Sequence, residues 1–364
     1  MRLLHTADIH LGSPLRSQAL RNPELGQRLG HLTRQALARI VDLALEHRVD
    51  ALLIAGDLFD DAVADVGLRT VVTRELARLA RAGIPTVLIR GNHDALLDLD
   101  RYGPISDSVH LLHGAAPTVE IGDAAIHGIG FETRHAGESL LPRYPRPVPG
   151  RFNVGLMHTS LGGAEGHDPY APCAEADLLA WGYEYWALGH IHRRSEHRAG
   201  GSLAVMPGIP QGRHVREPGR GSATLVTLDG QGAQAEALPV AGLAFAEVEI
   251  DMSGAGTQDE ALARLAASLA PHAQAEHEVA LRIVLRGAAH LDAEPGQARA
   301  LAEAAAADAP TLFVDSVRLL RDREAAPPGV VRELAALMAE VAQEPGLRDE
   351  MAAALAELRA ALPP

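Results

Sequence analysis

Five short stretches hold the side chains that could do chemistry: Asp8-x-His10, Gly56-Asp57, Gly91-Asn92-His93-Asp94, His158 and Gly189-His190-x-His192. Taken singly each is uninformative, because Asp, Asn and His recur in loops and a Gly-Asn pair serves many turns. Taken together, and in one order along the chain, weak signals multiply. Carboxylate, amide oxygen and imidazole suit Mn, Fe, Zn or Mg, and the lone cysteine, Cys173, offers no thiolate cluster for a softer ion. Asp8, His10, Asp57, Asn92, His158, His190 and His192 are more groups than one ion needs; they suit two ions that share a carboxylate. Two such cations clamp the attacking and leaving oxygens of a phosphoryl transfer and depress the pKa of a water between them. Glycines ahead of Asp57, Asn92 and His190 are read as sharp turns that aim the ligands inward.

The elements that must position these groups alternate. Arg2 to Thr6 is a short apolar run, His31 to His47 a helical pattern, Ala51 to Ala55 a buried strand, Val66 to Ala82 helical again, and Pro85 to Arg90 a further strand. This order predicts a mostly parallel sheet with helices on both faces, where ligands gather at the carboxyl ends of strands. Asn153 to Met157 runs into His158 and Tyr185 to Leu188 into His190 and His192, so five strand ends deliver Asp, Asn or His to one edge. Around Leu243 the pattern changes to a small unit: a strand through Ala246, Val248 and Ile250, a helix over Asp259 to Ala270, a strand over Val279 to Leu285, a helix over Ala298 to Ala307, and an apolar run over Leu312 to Leu320. The expected division is 1–240, 243–325, and a helical tail over 327–364 entered through Pro327-Pro328. The tail carries apolar stripes, Val330, Leu334, Leu337, Met338 and Val341 in one stretch and Leu347, Met351, Leu355, Leu358 and Leu362 in the next.

Composition bounds the rest. The chain has 364 residues, 47% hydrophobic and 22% charged, which excludes disorder for its bulk. The net charge of −14 argues against a protein held on nucleic acid or membrane by its global field, while leaving room for a local basic groove. All 33 basic residues are Arg, so Schiff-base and P-loop lysine chemistry is excluded. One cysteine cannot form an internal disulfide, which points to a reducing, cytoplasmic compartment; no signal-peptide pattern and no membrane span is expected.

These motifs resemble the calcineurin-like metallophosphoesterase superfamily. The resemblance implies one ion held by Asp8, His10, Asp57 and His192 and another by Asp57, Asn92, His158 and His190, with Asp57 bridging. It implies that His93 protonates or stabilises the leaving oxygen and that Asp94 orients its ring. The opening HTADIHLG with GDLFD at 56–60 is similar to the SbcD-type DNA repair nucleases, and HDPYAPC through GYEYWALGHIH to PGIPQGRHVRE resembles their YhaO-like branch. The fold class implied is α/β, a core of central sheets flanked by helices, with a small capping domain and a helical tail. The function implied is a two-metal DNA phosphodiesterase, Mn²⁺ its activator, paired with an SMC-like coiled-coil ATPase of the SbcC or YhaN type. Homodimerisation is left open. Asp60 departs from branches that carry histidine there, so its role is undecided between supporting the metals and capping a helix.

Arg193, Arg194, Arg213, His214 and Arg216 follow the last ligands closely and are read as phosphate contacts, against the bland reading of a solvated loop. His5 and Arg90 are candidates for a layer beneath the metals, Trp186 for core, and Cys173 for a packed residue without a base. Two rivals stay open: a small-molecule or cyclic-nucleotide phosphoesterase on the same core, and a scaffolding subunit for an ATPase.

Overall fold

In the computed structural model, residues 1–15, 18, 20, 22–61, 66–96, 106–162, 170–287 and 296–320 are described. The expected tail over 327–364 lies outside them. Strand β1 (Arg2–Thr6) leads to α1 (Pro23–Glu46), β2 (Ala51–Ala55), α2 (Val66–Arg81) and β3 (Thr86–Ile89). Helix α1 begins well before His31. Asn22 caps it, accepting from Leu25 N at 3.1 Å, and Pro23 occupies the first turn, a start signal that the apolar periodicity alone does not show.

The first sheet continues with β4 (Val109–Leu111) beside β3, and closes on its other edge with β11 (Ser222–Asp229) and β12 (Gly232–Pro239). Strands β1 to β4 are parallel, and β11 runs antiparallel to β1. The second sheet comprises β5 (Thr118–Ile121), β6 (Ala124–Gly128), β7 (Phe152–His158), β8 (Tyr185–Gly189), β10 (Ser202–Met206) and β9 (Ser195–Ala199), in that spatial order.

Helices do not cover both faces of the first sheet. Period-two alternation sends Leu4, Leu52, Ile54 and Leu88 against α1 and α2, while Leu3, Leu53, Val87 and Ile89 meet Val154, Leu156, Tyr185 and Ala187 of the second sheet. The fully apolar strands permit either covering; only the second sheet's own inward row decides it. The outer face of that sheet buries Trp186, stacked on Tyr183 with ring centres 4.7 Å apart, together with Met157 and Leu188.

After β12 come β13 (Leu243–Asp251), α4 (Gln258–Ala273), β14 (Glu278–Arg286), α5 (Gln297–Ala306) and β15 (Leu312–Leu320); α3 is the short Glu175–Leu179 helix ahead of β8. The three strands form one parallel sheet with a core of its own around Leu265, Leu281, Ile283 and Leu285. Leu25, Leu29 and Leu32 of α1 pack on Leu243, Phe245 and Ala280, and Arg28 pairs with Glu278, so this unit is seated on the first helix. No helix among the described residues is long and apolar enough to cross a membrane.

Candidate metal centre

Five strands end at one place. The loops after β1 and β2 are zipped together by Asp8 N to Gly56 O at 3.1 Å, His10 N to Asp57 O at 3.0 Å and Leu11 N to Leu58 O at 3.0 Å. Asn92 and His93 follow β3, His158 is the last residue of β7, and His190 and His192 follow β8. Asp8, His10, Asp57 and His190 all stand at positive φ, at 54°, 49°, 51° and 101°, a region side-chain-bearing residues rarely enter.

Three of the seven expected ligands are donors in one compact group, Asp8, His10 and His192, and three in a second, Asp8, Asp57 and His158, with ligand atoms inside each group within 4.8 Å of one another. Asn92 Oδ1 lies 3.0 Å from His158 Nε2, and the His190 ring centre 5.2 Å from that of His158. Asp8 belongs to both groups, and the Asp57 carboxylate of the second also approaches the first: Oδ2 is 3.4 Å from His158 Nε2 and 3.8 Å from His10 Nε2, and Oδ1 accepts from His93 N at 3.0 Å. His10 Nε2 and His192 Nε2 face each other at 3.1 Å. Two imidazole nitrogens bound at about 2.1 Å to one cation at a right angle stand about 3 Å apart, so this pairing of acceptors fits a shared ion.

Electrostatics agree with a site built for cations. Burial would raise the Asp57 carboxyl, but the imidazoles of His158, His10 and His93 around it hold it well below the usual carboxylate range. Burial likewise opposes charge on His158, yet Asp57 and Asp8 raise it to about 9. Asp94 behaves oppositely, raised to about 6 by burial and by Asp57.

Glycine serves differently from the expected sharp turns. At Gly91 and Gly189 φ is not positive, and the constraint is space: a Cβ on Gly91 would stand 2.2 Å from Asp57 Oδ1, and one on Gly189 2.1 Å from Ala55 O. Only Gly56, at φ 93°, meets both demands, since its Cβ would also come 2.4 Å from His158 Nδ1.

The expectation that Asp94 orients His93 is corrected. Asp94 is buried and accepts from Gly91 N and Leu58 N, each at 2.8 Å, pinning the loop after β3 to the loop after β2. The His93 ring instead sets Nδ1 2.9 Å from the Asp60 carbonyl, and its side chain is 42% exposed where Asp57 is 2%. Asp60 supports rather than caps: its carboxylate is 3.0 Å from His10 Nδ1. Sequence reasoning missed Glu217, whose Oε1 lies 2.7 Å from His192 Nδ1; its only signal is the Arg213–Glu217 spacing of four within GRHVRE.

The basic residues separate. Arg213 is held by Glu217 at 3.0 Å and Asp60 at 3.2 Å, and Arg194 by Thr224 and Glu196, so neither is a free anion site. His214 sits 3.6 Å from Glu217, while Arg193 and Arg216 are exposed. Of the aromatic residues, Tyr183, Tyr185 and Trp186 are core, and Tyr170 reaches the site, edge-on to His190 at 5.2 Å. Cys173 is buried and its thiol pushed up to about 11, consistent with packing.

His5 touches no ligand. Its Nδ1 is 2.8 Å from Tyr185 Oη and its Nε2 3.0 Å from Leu188 O, and burial lowers its pKa to about 3. The ring therefore stays neutral in the fold while the unfolded chain takes a proton below about 6.5, so its share of stability falls as pH drops from there toward 3. The H5Q variant should lose this, and its unfolding free energy should approach that of wild type on acidification at up to about 1.4 kcal/mol per pH unit. Urea titrations between pH 7 and 5 that run parallel for the two proteins would show the expectation wrong.

Residues 1–194 match the family profile described as calcineurin-like phosphoesterase, and residues 245–320 that of the metallophosphoesterase YhaO middle domain. The chain is 34% identical over 227 residues to the metallophosphoesterase YhaO of Bacillus subtilis (strain 168), covering 60% of this chain and 55% of that protein. It is 28% identical over 218 residues to the DNA double-strand break repair protein Mre11 of Sulfurisphaera tokodaii, covering 57% and 54%. Over 101 residues it is 36% identical to the SbcD component of the nuclease SbcCD from Escherichia coli (strain K12), covering 28% and 23%. The match thus spans about half the length of the first two relatives.

Proposed function

This chain belongs to the calcineurin-like phosphoesterase family, and from that premise we propose that it is a two-metal phosphodiesterase that cuts DNA. The observation that carries the reading is Asp57, a buried carboxylate whose Oδ2 approaches one histidine of each ligand group, with the backbone of the more exposed His93 hung on its Oδ1. Asp8, His10, Asp57 and His192 would hold one divalent ion and Asp57, Asn92, His158 and His190 the other; Mn²⁺ is the activator we propose, because mixed O and N ligands accept it. Bound there, the ions would lower the pKa of a water and offset charge on the phosphate oxygens.

The remaining steps fall to the chain. With Nδ1–H donating to the Asp60 carbonyl, the exposed ring of His93 holds a second proton on Nε2 in its imidazolium form, and that form gives the proton to the departing oxygen or steadies its charge. Asp94 keeps the loops of Asp57 and His93 in one register. Arg193 and Arg216 are the basic groups left exposed for backbone phosphates.

DNA as substrate is supported by relatives named as a repair protein and a nuclease component. By the same likeness we propose an SMC-like coiled-coil ATPase as partner, residues 243–325 as a capping unit and 327–364 as the docking tail. The test is cleavage of labelled linear DNA beside bis-p-nitrophenyl phosphate. Mn²⁺-dependent cutting of both, abolished by EDTA, is expected; hydrolysis of the small diester alone, with DNA intact in the presence of the ATPase, would assign the chain to a small-molecule substrate.

A further inference from the structure

A histidine ligand offers one ring nitrogen to the ion, and what the other nitrogen meets fixes the plane and tautomer of the ring. In this centre the rings are backed differently. His158 turns Nδ1 to a neutral backbone carbonyl, Ala55 O at 3.0 Å. His10 and His192 turn theirs to carboxylates, Asp60 at 3.0 Å and Glu217 at 2.7 Å. One arginine joins those carboxylates: Arg213 Nη1 lies 3.2 Å from Asp60 Oδ1, and Nη2 3.0 Å from Glu217 Oε1. The backbone N–H of Arg213 also donates to Glu217 Oε2 at 2.7 Å. Glu217 is 4% exposed, and a charge taken that far from water persists only when its oxygens are engaged, as they are here by imidazole, guanidinium and amide.

We propose that Asp60, Arg213 and Glu217 form an ion-paired clamp that sets the rings of His10 and His192 and makes the ion they hold the tighter-bound of the two. The proposal rests on the two-ion reading given above. Asp60 follows β2 and Glu217 lies ahead of β11, so two negative charges from separate loops converge on one pair of rings, and Arg213 between them cancels their repulsion. The outcome at the other end of each ring is the 3.1 Å approach of the two Nε2 atoms. All three are positioning residues: Asp60 and Glu217 act through an imidazole, and Arg213 through the carboxylates. With Arg213 committed to this role, the guanidinium nearest the ligands serves metal binding and leaves phosphate to other groups.

Titrating the metal-free full chain with Mn²⁺, and counting free ion by its electron paramagnetic resonance signal, should give two affinities for wild type. E217A should weaken the tighter of them about 10- to 100-fold and leave the other within about threefold, and loss at the weaker site alone overturns the clamp. D60N should weaken the same one, and E217Q, which keeps an acceptor for Nδ1–H, should recover part of the loss. Thermal unfolding of the metal-free proteins shows whether each variant folds; if E217A does not, D60N and E217Q decide. Unchanged affinities in folded variants, or equal weakening of both sites, overturns the clamp. A wild-type chain that takes up one ion or none overturns the two-ion reading, and the clamp with it.

Discussion

Asp57→Ala should empty both halves of the centre and lower hydrolysis of a simple phosphodiester by about four orders of magnitude or more, the several kcal/mol that metal ions supply. The residue touches everything. Its Oδ2 lies against His158 and His10, one from each ligand group, and its Oδ1 holds the His93 backbone. Removing it leaves three imidazoles converging without the carboxylate that balances them, so neither ion keeps a complete ligand set. Metal analysis after dialysis, with circular dichroism to show a retained fold, is the measurement; a folded variant that still carries two ions would show that Asp57 does not bridge.

His93→Ala should do the reverse, keeping both ions while turnover falls by about two to four orders of magnitude. The ring is 42% exposed, hangs on a carbonyl through Nδ1, and crosses the His10 ring edge-on at 4.7 Å. There is a specific competitor to this reading, because His10, Asp60 and His93 also bring ligand atoms within 4.8 Å of one another. If His93 were a ligand in that third group, the variant would lose metal as badly as the Asp57 one. The pH–rate profile separates the cases further: loss of a proton donor removes one limb of the profile, whereas loss of an ion lowers the whole of it.

What the sequence made legible follows from where the information sits. Asp8, Asp57, Asn92, His158 and His190 each sit at the end of an apolar strand or just beyond it, so strand-end logic gathers them without knowing any long-range contact. The sheet-on-sheet core was hidden because Leu52 to Ile54 are apolar on both faces, and such a strand does not say whether a helix or a second sheet lies beyond. Glu217 was hidden for a different reason: it sits in an irregular loop, and its role exists only through its approach to His192. Asp94 was misassigned by the family resemblance, which implied that it orients His93; neighbouring residues in a loop diverge, and its carboxylate turns to backbone amides instead. The order of strands and helices after Leu243 was readable among the described residues, since alternation along β13 and the helical spacing of α4 and α5 are regular.

The positive φ angles at Asp8, His10, Asp57 and His190 set durability against chemistry. Each such angle in a residue with a side chain costs about 1–3 kcal/mol, whereas glycine adopts it freely. Glycine at any of the four would relieve that backbone cost while deleting a ligand and its hydrogen bonds. At these four corners the backbone's preference and the ligand set pull in opposite directions. A descendant that kept the scaffold for some other purpose would be expected to carry glycines at these corners, as fossils of abandoned ligands.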